Sequence, residues 1–274
     1  MRLTLTLRAL GGREEITVPL TYNEFVQAAI YNMLPPDFSS FLHNTGYIFA
    51  KRVFRFFTFS RLLGRYELLR DRGCIRFRGP VRLVVVSPLQ EMVDAIHGRL
   101  LREGTLRLGA EVLELTEVAS AVQTVEDSRL WVHTLSPITV YSTMLRPDGR
   151  KYTVYFDPHE SAFSEAIREN LRRKLMVARD ALGATVDVPL DPLDFEILPV
   201  GRMQKSVVTY KGVSVQAFSG RFQLQGPPAI LSWALEFGLG SKNSQGFGCV
   251  EPLPRDVRRE GGRIRAHRTA YPLG

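Results

Sequence analysis

Residues 238–248 read Gly238-Leu239-Gly240-Ser241-Lys242-Asn243-Ser244-Gln245-Gly246-Phe247-Gly248. Two Gly-apolar-Gly units are thus separated by five polar residues. The segment follows an apolar run that predicts a helix ending at Phe237, and it precedes a predicted strand that starts at Cys249. A dinucleotide-binding loop has the opposite context, because it follows a strand and opens a helix whose amino terminus holds pyrophosphate. The order of elements therefore argues against a Rossmann-type site.

The glycines of this segment permit two interpretations. Glycine adopts positive φ without strain and lets the backbone press closely against a ligand, and polar side chains between glycines suit phosphate oxygens. A tight structural turn needs the same backbone freedom. The segment alone therefore predicts either a phosphate-binding loop or a turn. Its candidate contacts are Gly238, Gly240, Ser241, Lys242, Asn243, Ser244, Gly246 and Gly248.

Capping patterns predict three helices upstream of the glycine segment. In each, a polar side chain at the first position and a Glu or Gln three residues later satisfy the free amides of the first turn. The pairs are Thr21 with Glu24, Ser87 with Gln90, and Asp157 with Glu160. Gly104 and Gly183 are the predicted stops of the second and third helices. A fourth helix is predicted from Pro227 or Pro228 to Phe237.

Strand-like alternation separates these helices, and the two halves of the chain share one spacing of helix starts. The fold class is therefore predicted as α+β, with two tandem ferredoxin-like (β-α-β-β-α-β) domains. We expect the domains at residues 1–122 and 123–253, followed by a basic, flexible tail at residues 254–274. A hairpin tip is predicted at Gly201–Lys205, between the strands Phe195–Val200 and Ser206–Tyr210.

The composition favours a polyanionic partner. The chain has 36 Lys and Arg against 28 Asp and Glu, a formal charge of +8 and a pI near 9.7. Its two cysteines lie far apart, which argues against a disulfide framework or a zinc site and fits a reducing cytoplasm. No apolar run approaches the roughly 18 residues that span a bilayer, so no membrane association is expected.

Two Gly-apolar-Gly units near the carboxyl end of a doubled ferredoxin-like chain resemble the repeat-associated RNA-binding (RAMP) superfamily of CRISPR systems. Within it, the chain is similar to the repeat-processing endoribonuclease over about residues 1–253. The resemblance implies an enzyme that binds CRISPR repeat RNA, expected as a stem-loop, and cuts precursor transcripts into guide RNAs without a metal or other cofactor. It also admits a homodimer and membership of a CRISPR effector complex.

The resemblance places the catalytic histidine in the connection after the first helix, where His43 is the only histidine. Metal-free cleavage uses the 2′-hydroxyl as nucleophile and leaves a 2′,3′-cyclic phosphate and a 5′-hydroxyl. One proton must leave the attacking oxygen and another must reach the departing oxygen. Histidine can serve either step because its ordinary pKa is about 6.5. No acidic cluster suggests a two-metal site.

By the same resemblance, Tyr31 and Lys51 complete the catalytic constellation. The helical pattern of the first helix turns an apolar stripe inward and leaves Tyr31 on the polar face with Gln27. The stripe consists of Phe25, Ala28, Ala29 and Met33. Lys51 would supply positive charge for the crowded phosphorus. Arg52, Ser39 and Ser40 are alternatives for these auxiliary roles.

Exposed basic residues are the candidates for holding the RNA, because RNA stems are read mainly through phosphates, 2′-hydroxyls and shape. The resemblance implies that the predicted hairpin tip approaches the stem. Outside the glycine segment, the expected RNA contacts are Arg52, Arg129, Arg202, Lys205 and Lys211.

Two other functions fit parts of this pattern. A non-catalytic RNA-binding subunit of the same superfamily would keep the glycine segment and the basic surface and leave His43 incidental. An unrelated nucleotide- or small-ligand-binding protein would use the glycine segment as a phosphate loop, but the strand-loop-helix context of such loops is missing.

Overall fold

The computed structural model describes residues 1–183 and 186–254, and it shows a mixed α+β fold with two sheet-rich domains. The strands are β1 (Arg2–Ala9), β2 (Glu15–Pro19), β3 (Tyr47–Phe49), β4 (Arg52–Phe54), β5 (Thr58–Phe59), β6 (Leu63–Leu69), β7 (Cys74–Val86), β8 (Thr105–Leu108), β9 (Glu111–Ala121), β10 (Arg129–Thr134), β11 (Tyr141–Leu145), β12 (Lys151–Tyr155), β13 (Glu196–Tyr210), β14 (Val213–Gln225) and β15 (Val250–Pro252). The helices are α1 (Asn23–Asn32), α2 (Pro36–Ser40), α3 (Gln90–Glu103), α4 (Ser161–Leu182) and α5 (Pro228–Phe237), and a π-helical turn, Phe41–Thr45, continues α2.

The first sheet is antiparallel and has the order β2-β7-β1-β9-β8, and β5 and β6 also pair with the long strand β7. Alternate leucines of β1 lie in the core because side chains alternate between the two faces of a strand. They pack in one cluster with the apolar stripe of α3. The buried residues concerned are Leu3, Leu5 and Leu7 of β1 and Met92, Val93, Ile96 and Leu100 of α3.

The second sheet has the order β13-β14-β10-β15, and β11 with β12 and β3 with β4 form separate hairpins. β9 ends at Ala121 and β10 begins at Arg129, so the chain passes from one sheet to the other between them. The division at residue 122 stays a prediction. Apart from Pro254, the expected tail lies outside the described residues. No helix in the described part of the chain is long and apolar enough to cross a membrane.

The predicted helix ends are confirmed more often than the predicted starts. α3 and α4 end at Gly104 and Gly183 in the left-handed conformation, and α5 spans Pro228–Phe237 as predicted. The capping box is confirmed only before α4, where Asp157 Oδ1 accepts from the His159 amide and Glu160 Oε2 accepts from the Asp157 amide, although α4 itself begins at Ser161. The N-caps of α1 and α3 have no side-chain hydrogen bond. Ser87 shows the reason: its Oγ accepts from the Leu89 amide but donates to the Phe56 carbonyl, a contact with another segment.

The predicted hairpin tip at Gly201–Lys205 is wrong. These residues lie within the single strand β13, and the chain turns at Lys211 and Gly212 instead. Val200 pairs with Arg221 and Gln204 pairs with Ser219, so three residues of β13 face one residue of β14. The glycine at 201, with φ of 75°, therefore serves a bulge and not a turn.

The two halves share a continuous core and several polar contacts. Within them, α1 lies against the glycine segment: Asn23 Nδ2 donates to the Gln245 carbonyl at 3.0 Å and Gln27 Nε2 donates to the Ser244 carbonyl at 2.6 Å. Thr58 Oγ1 donates to the Phe247 carbonyl at 2.8 Å. The face of α1 that was predicted to meet solvent is therefore covered by the second half of the chain.

Candidate active site

The glycine segment is a buried turn between the two halves. Its four glycines are buried and have φ between 72° and 85°. A Cβ added at Gly248 would lie 1.9 Å from the Leu239 carbonyl oxygen, and one added at Gly240 would lie 2.5 Å from the Thr139 carbonyl oxygen. The atoms that exclude a side chain thus belong to the protein itself. Of the two interpretations of the glycine segment, the geometry therefore favours the tight structural turn over the phosphate-binding loop.

A buried lysine from α4 holds this turn. Lys174 Nζ donates to the carbonyl oxygens of Gly238 and Gly240, at 2.8 Å and 3.0 Å, and to Asn243 Oδ1 at 2.8 Å. Its side chain is 3% exposed, and burial lowers the pKa of Lys174 to about 7. Three acceptors match the three protons of an ammonium group. Sequence reasoning missed this residue because it was one basic residue among several on the helix.

The side chain of Asn243 is also used inside the turn. Its Nδ2 donates to the carbonyl oxygens of Leu239 and Phe247, at 3.1 Å and 3.0 Å, while its Oδ1 accepts from Lys174. We expected Asn243 to donate to phosphate. Both amide protons already have partners, so this expectation for its side chain is corrected.

His43 lies exposed on the π-helical turn that continues α2. Its Nδ1 is 2.9 Å from Asn44 Oδ1, and the Asn44 amide nitrogen donates to Ser40 Oγ. An amide oxygen only accepts hydrogen bonds, so Nδ1 carries the proton and the neutral ring has its lone pair on Nε2. The exposed loop thus presents a histidine in one defined tautomer.

Tyr31 packs beside His43, although not on an exposed face. The ring centroids are 5.5 Å apart in an edge-to-face arrangement. Tyr31 is 7% exposed, and its Oη is buried without a hydrogen-bond partner in the described structure. Burial raises the pKa of Tyr31, and the Arg55 guanidinium opposes this rise without making a well-formed hydrogen bond. The predicted polar face is wrong: Gln27 and Tyr31 are buried, whereas Ala28 is exposed.

Arg55, which sequence reasoning passed over, contacts the candidate catalytic residue. Its Nη2 donates to the His43 carbonyl oxygen at 3.0 Å. The predicted strand Val53–Ser60 is broken between β4 and β5, where Phe56 has φ of 51°. The signal available in the sequence was a single charged residue among phenylalanines, since a charge in an apolar run needs a partner or a function.

Lys51 lies exposed at the turn of the β3–β4 hairpin. Across residues 1–183 and 186–254, no hydrogen bond or ring contact joins it to Tyr31 or His43. Arg52, the first residue of β4, is exposed and faces the space between the two halves. The structure therefore brings together Tyr31, His43 and Arg55, with Lys51 on the neighbouring hairpin.

A cavity of about 260 Å³ separates the segment around Arg55 from α4 and the glycine segment. Lys242 lines it, half-buried, with Nζ 5.5 Å from the centre of the Tyr141 ring, and burial lowers the pKa of Lys242. Among the described residues, no group of three or more His, Cys, Asp or Glu side chains is arranged to hold a metal ion.

Two family models match the chain in succession. The model described as "CRISPR-associated protein Cas6, N-terminal" matches residues 17–119, and the model described as "CRISPR associated protein Cas6, C-terminal" matches residues 120–252. The chain belongs to the Cas6 family. The resemblance deduced from the glycine segment is thereby confirmed, and the two matches together extend over most of the chain.

Cas6 proteins of archaea are similar to the chain over nearly its whole length. It is 27% identical over 256 residues to the CRISPR-associated endoribonuclease Cas6 1 of Methanocaldococcus jannaschii, covering 91% of this chain and 92% of the relative. It is 26% identical over 256 residues to the CRISPR-associated endoribonuclease Cas6 of Pyrococcus furiosus, covering 92% and 89%. A solved structure described as "An RAMP protein binding different RNA substrates" shares its fold, with a TM-score of 0.73, 20% identity and coverage of 93% and 100%.

The other basic residues expected to bind RNA are exposed and spread over the second half of this Cas6 chain. Arg202 and Lys205 lie in and beside the bulge of β13, and Arg129 begins β10. Lys211 lies at the β13–β14 turn, next to Tyr210, whose hydroxyl donates to Gln27 of α1. The structure therefore brings the region of Lys211 toward the first half of the chain.

Proposed function

We propose that this Cas6-family chain is a metal-independent endoribonuclease that binds CRISPR repeat RNA and cleaves precursor transcripts to generate guide RNAs. The observation that carries the proposal is the placement of exposed His43 against the buried ring of Tyr31 and the guanidinium of Arg55. The relatives named endoribonucleases agree with this class of reaction. The chain would act in the cytoplasm, alone, as a homodimer or within a CRISPR effector complex.

The proposed reaction is an attack of the 2′-hydroxyl on the adjacent phosphorus. A bond forms between the 2′ oxygen and phosphorus while the bond to the 5′ oxygen breaks, giving a 2′,3′-cyclic phosphate and a 5′-hydroxyl. In the tautomer held by Asn44, neutral His43 offers Nε2 as the base that removes the 2′ proton. A proton from a protonated group or from water neutralises the departing 5′ oxygen.

Positive charge near His43 would stabilise the crowded phosphorus. Arg55 already contacts the His43 backbone, and Arg52 and Lys51 lie on the neighbouring hairpin β3–β4. Preorganised positive charge lowers the activation barrier most when it lies next to the negative charge that develops in the transition state. Tyr31 acts as a positioning residue in this scheme, because its hydroxyl is buried while its ring edge faces His43.

We further propose that the RNA, a stem-loop in its repeat, lies across the join of two ferredoxin-like domains. The half-exposed part of the glycine segment offers Lys242 and Ser244 to phosphates, while the glycines shape the turn. Arg129, Arg202, Lys205 and Lys211 would hold the RNA farther away through salt-sensitive phosphate contacts.

The test is cleavage of a labelled CRISPR repeat RNA in the presence of EDTA. We expect cutting by the wild-type protein, none by His43→Ala, and normal cutting by His159→Ala, a matched change of an exposed histidine on another segment. An RNA with one 2′-deoxy position at the cleavage site should bind without being cut. Equal cutting by His43→Ala would remove that residue from the mechanism, and activity restored only by magnesium would replace it with a metal-dependent reaction.

A second function is a non-catalytic RNA-binding subunit. The likeness in fold to a RAMP protein that binds different RNA substrates favours it. In that case the wild-type protein binds repeat RNA with no cut in EDTA or in magnesium, and His43→Ala binds equally well.

A further inference from the structure

The backbone around His43 is fixed by contacts with two other parts of the first half. The π-helical turn that continues α2 is closed by the Gly46 amide, which donates to the Phe41 carbonyl oxygen at 2.7 Å. Gly46 has φ of 63°, and a Cβ added there would lie 2.7 Å from Val53 Cγ1, so glycine lets the turn pack closely against β4. Arg55 binds the His43 carbonyl oxygen from the segment after β4. The histidine side chain therefore starts from one defined point.

The imidazole ring is then held through one of its two nitrogens. Nδ1 lies 2.9 Å from Asn44 Oδ1, and Asn44 Nδ2 donates to Ser40 Oγ at 3.1 Å, one helical turn earlier. The edge-to-face contact with Tyr31 supports the ring from α1. Across residues 1–183 and 186–254, no hydrogen bond reaches Nε2 of this exposed side chain. The arrangement thus fixes one nitrogen and leaves the other open to a substrate.

The amide partner decides which nitrogen carries the proton. A neutral imidazole has one N–H and one lone pair, and the hydrogen bond made by one nitrogen sets the state of the other. Asn44 Oδ1 only accepts, so it keeps the proton on Nδ1 and the lone pair on Nε2. Asn44 and Ser40 are both exposed, and their hydrogen bond restricts the asparagine to a rotamer that meets the ring.

The groups around the ring include cations but no acidic partner. The Arg55 guanidinium comes from the segment after β4, Lys51 lies on the hairpin β3–β4, and the Tyr31 hydroxyl comes from α1. In the described part of the chain, His133 is the histidine that forms an ion pair, and His43 forms none. A neutral amide therefore orients the ring without stabilising its charged form, which suits a base that must be unprotonated to act.

We infer that Asn44, supported by Ser40, is a positioning residue of the cleavage reaction and aims Nε2 of His43 at the 2′-hydroxyl. The inference rests on the proposed function, since it takes the histidine as the base. It gives Ser40 a supporting role, one step removed from the RNA, in place of the direct auxiliary role considered from the sequence. It also adds to the site a residue that the family resemblance did not single out.

The kinetic test is single-turnover cleavage of labelled repeat RNA in EDTA at saturating protein. Asn44→Leu should cut about 10- to 100-fold more slowly, because the ring loses its orientation, and should bind a 2′-deoxy, uncleavable RNA like the wild type. Ser40→Ala should show a smaller loss, since the amide can still reach the ring. Thr45→Val is the matched control, an exposed change in the same turn that should leave cutting and binding unchanged.

Asn44→Asp separates positioning from a merely structural role. A carboxylate accepts the same hydrogen bond, so the rate on the high-pH plateau should return to near the wild-type value. It also stabilises the protonated ring, so the acid limb of the rate profile should move to higher pH by about one unit. Cutting by Asn44→Leu at the wild-type rate, with none by His43→Ala, would overturn the inference and leave the proposed function intact. A wild-type protein that does not cut would overturn the proposed function instead.

Nitrogen NMR of protein labelled in its histidine rings tests the geometry without relying on activity. The signals of His43 are those that disappear in His43→Ala. At a pH where the ring is neutral, the wild type should show the proton on Nδ1, and Asn44→Leu should show a mixture of both tautomers. A proton on Nε2 in the wild type, or the same tautomer in both proteins, would contradict the role assigned to Asn44.

Discussion

Replacing Gly248 by alanine tests whether the glycine segment is built for packing. Gly248 has φ of +75°, and an added Cβ would lie 1.9 Å from the Leu239 carbonyl oxygen and 2.7 Å from Asn243 Nδ2. Ordinary carbon contacts are about 3.5 Å, so the turn would have to open by more than about 1 Å. The same atoms make hydrogen bonds: the Leu239 amide donates to the Gly248 carbonyl oxygen at 2.9 Å, and Asn243 Nδ2 donates to the Leu239 carbonyl oxygen at 3.1 Å.

The expected loss of stability is the sum of two terms. A left-handed residue with a Cβ costs about 1–2 kcal/mol. Two weakened hydrogen bonds add about 1 kcal/mol each. Gly248→Ala should therefore lower the free energy of unfolding by about 3–4 kcal/mol, or the melting temperature by about 10 °C for a chain of this size. Gly12→Ala is the matched control, because Gly12 has φ of +74° and a Cβ added there would have nothing within 4 Å; only the first term applies to it.

The assay is urea and thermal unfolding of both variants beside the wild-type protein, followed by RNA binding at a temperature where all three are folded. Equal destabilisation of Gly248→Ala and Gly12→Ala would refute the packing argument. Near-normal stability of Gly248→Ala with selective loss of RNA binding would show that the backbone is held open for RNA, which is the interpretation that the geometry disfavours.

Three further outcomes follow from single contacts. Tyr31→Phe should be at least as stable as the wild type in urea and cut RNA nearly as fast, because it loses only an unpartnered hydroxyl. Tyr31→Leu should cut RNA about 100-fold more slowly, because it removes the ring that packs against His43 and positions it. Gln27→Leu should lower the free energy of unfolding in urea by about 2–3 kcal/mol, because the Ser244 carbonyl oxygen and the Tyr210 hydroxyl lose their hydrogen-bond partner. The pKa of Lys174 is about 7 in the folded protein and 10.5 ordinarily, so between these pH values the unfolded chain binds one more proton than the folded chain. The free energy of unfolding should therefore rise with pH across that window and level off below about pH 7. Lys174→Met should flatten this rise, as urea titrations at several pH values would show.

From the sequence, candidate site residues could be chosen only where local chemistry or the family resemblance singles them out. His43 was chosen because it is the one histidine in a connection that the family resemblance singles out. The same reasoning chose Tyr31 but put it on the wrong face, since the helical pattern reports polarity and not what covers the helix. Arg55 and Lys174 were passed over because neither belongs to a motif; their importance lies in contacts with residues far along the chain.

The sequence by itself determined where α3, α4 and α5 end, since a glycine stop acts within one helical turn, and it determined the family through the spacing of the glycines in residues 238–248. Only the tertiary structure decided what those glycines do. They are buried by Thr139, Phe59 and other residues from distant segments, and the space left for a side chain is a property of the packed protein. The cavity lined by Arg55 and Lys242 exists for the same reason: it is formed where two halves meet, and no stretch of either half contains it.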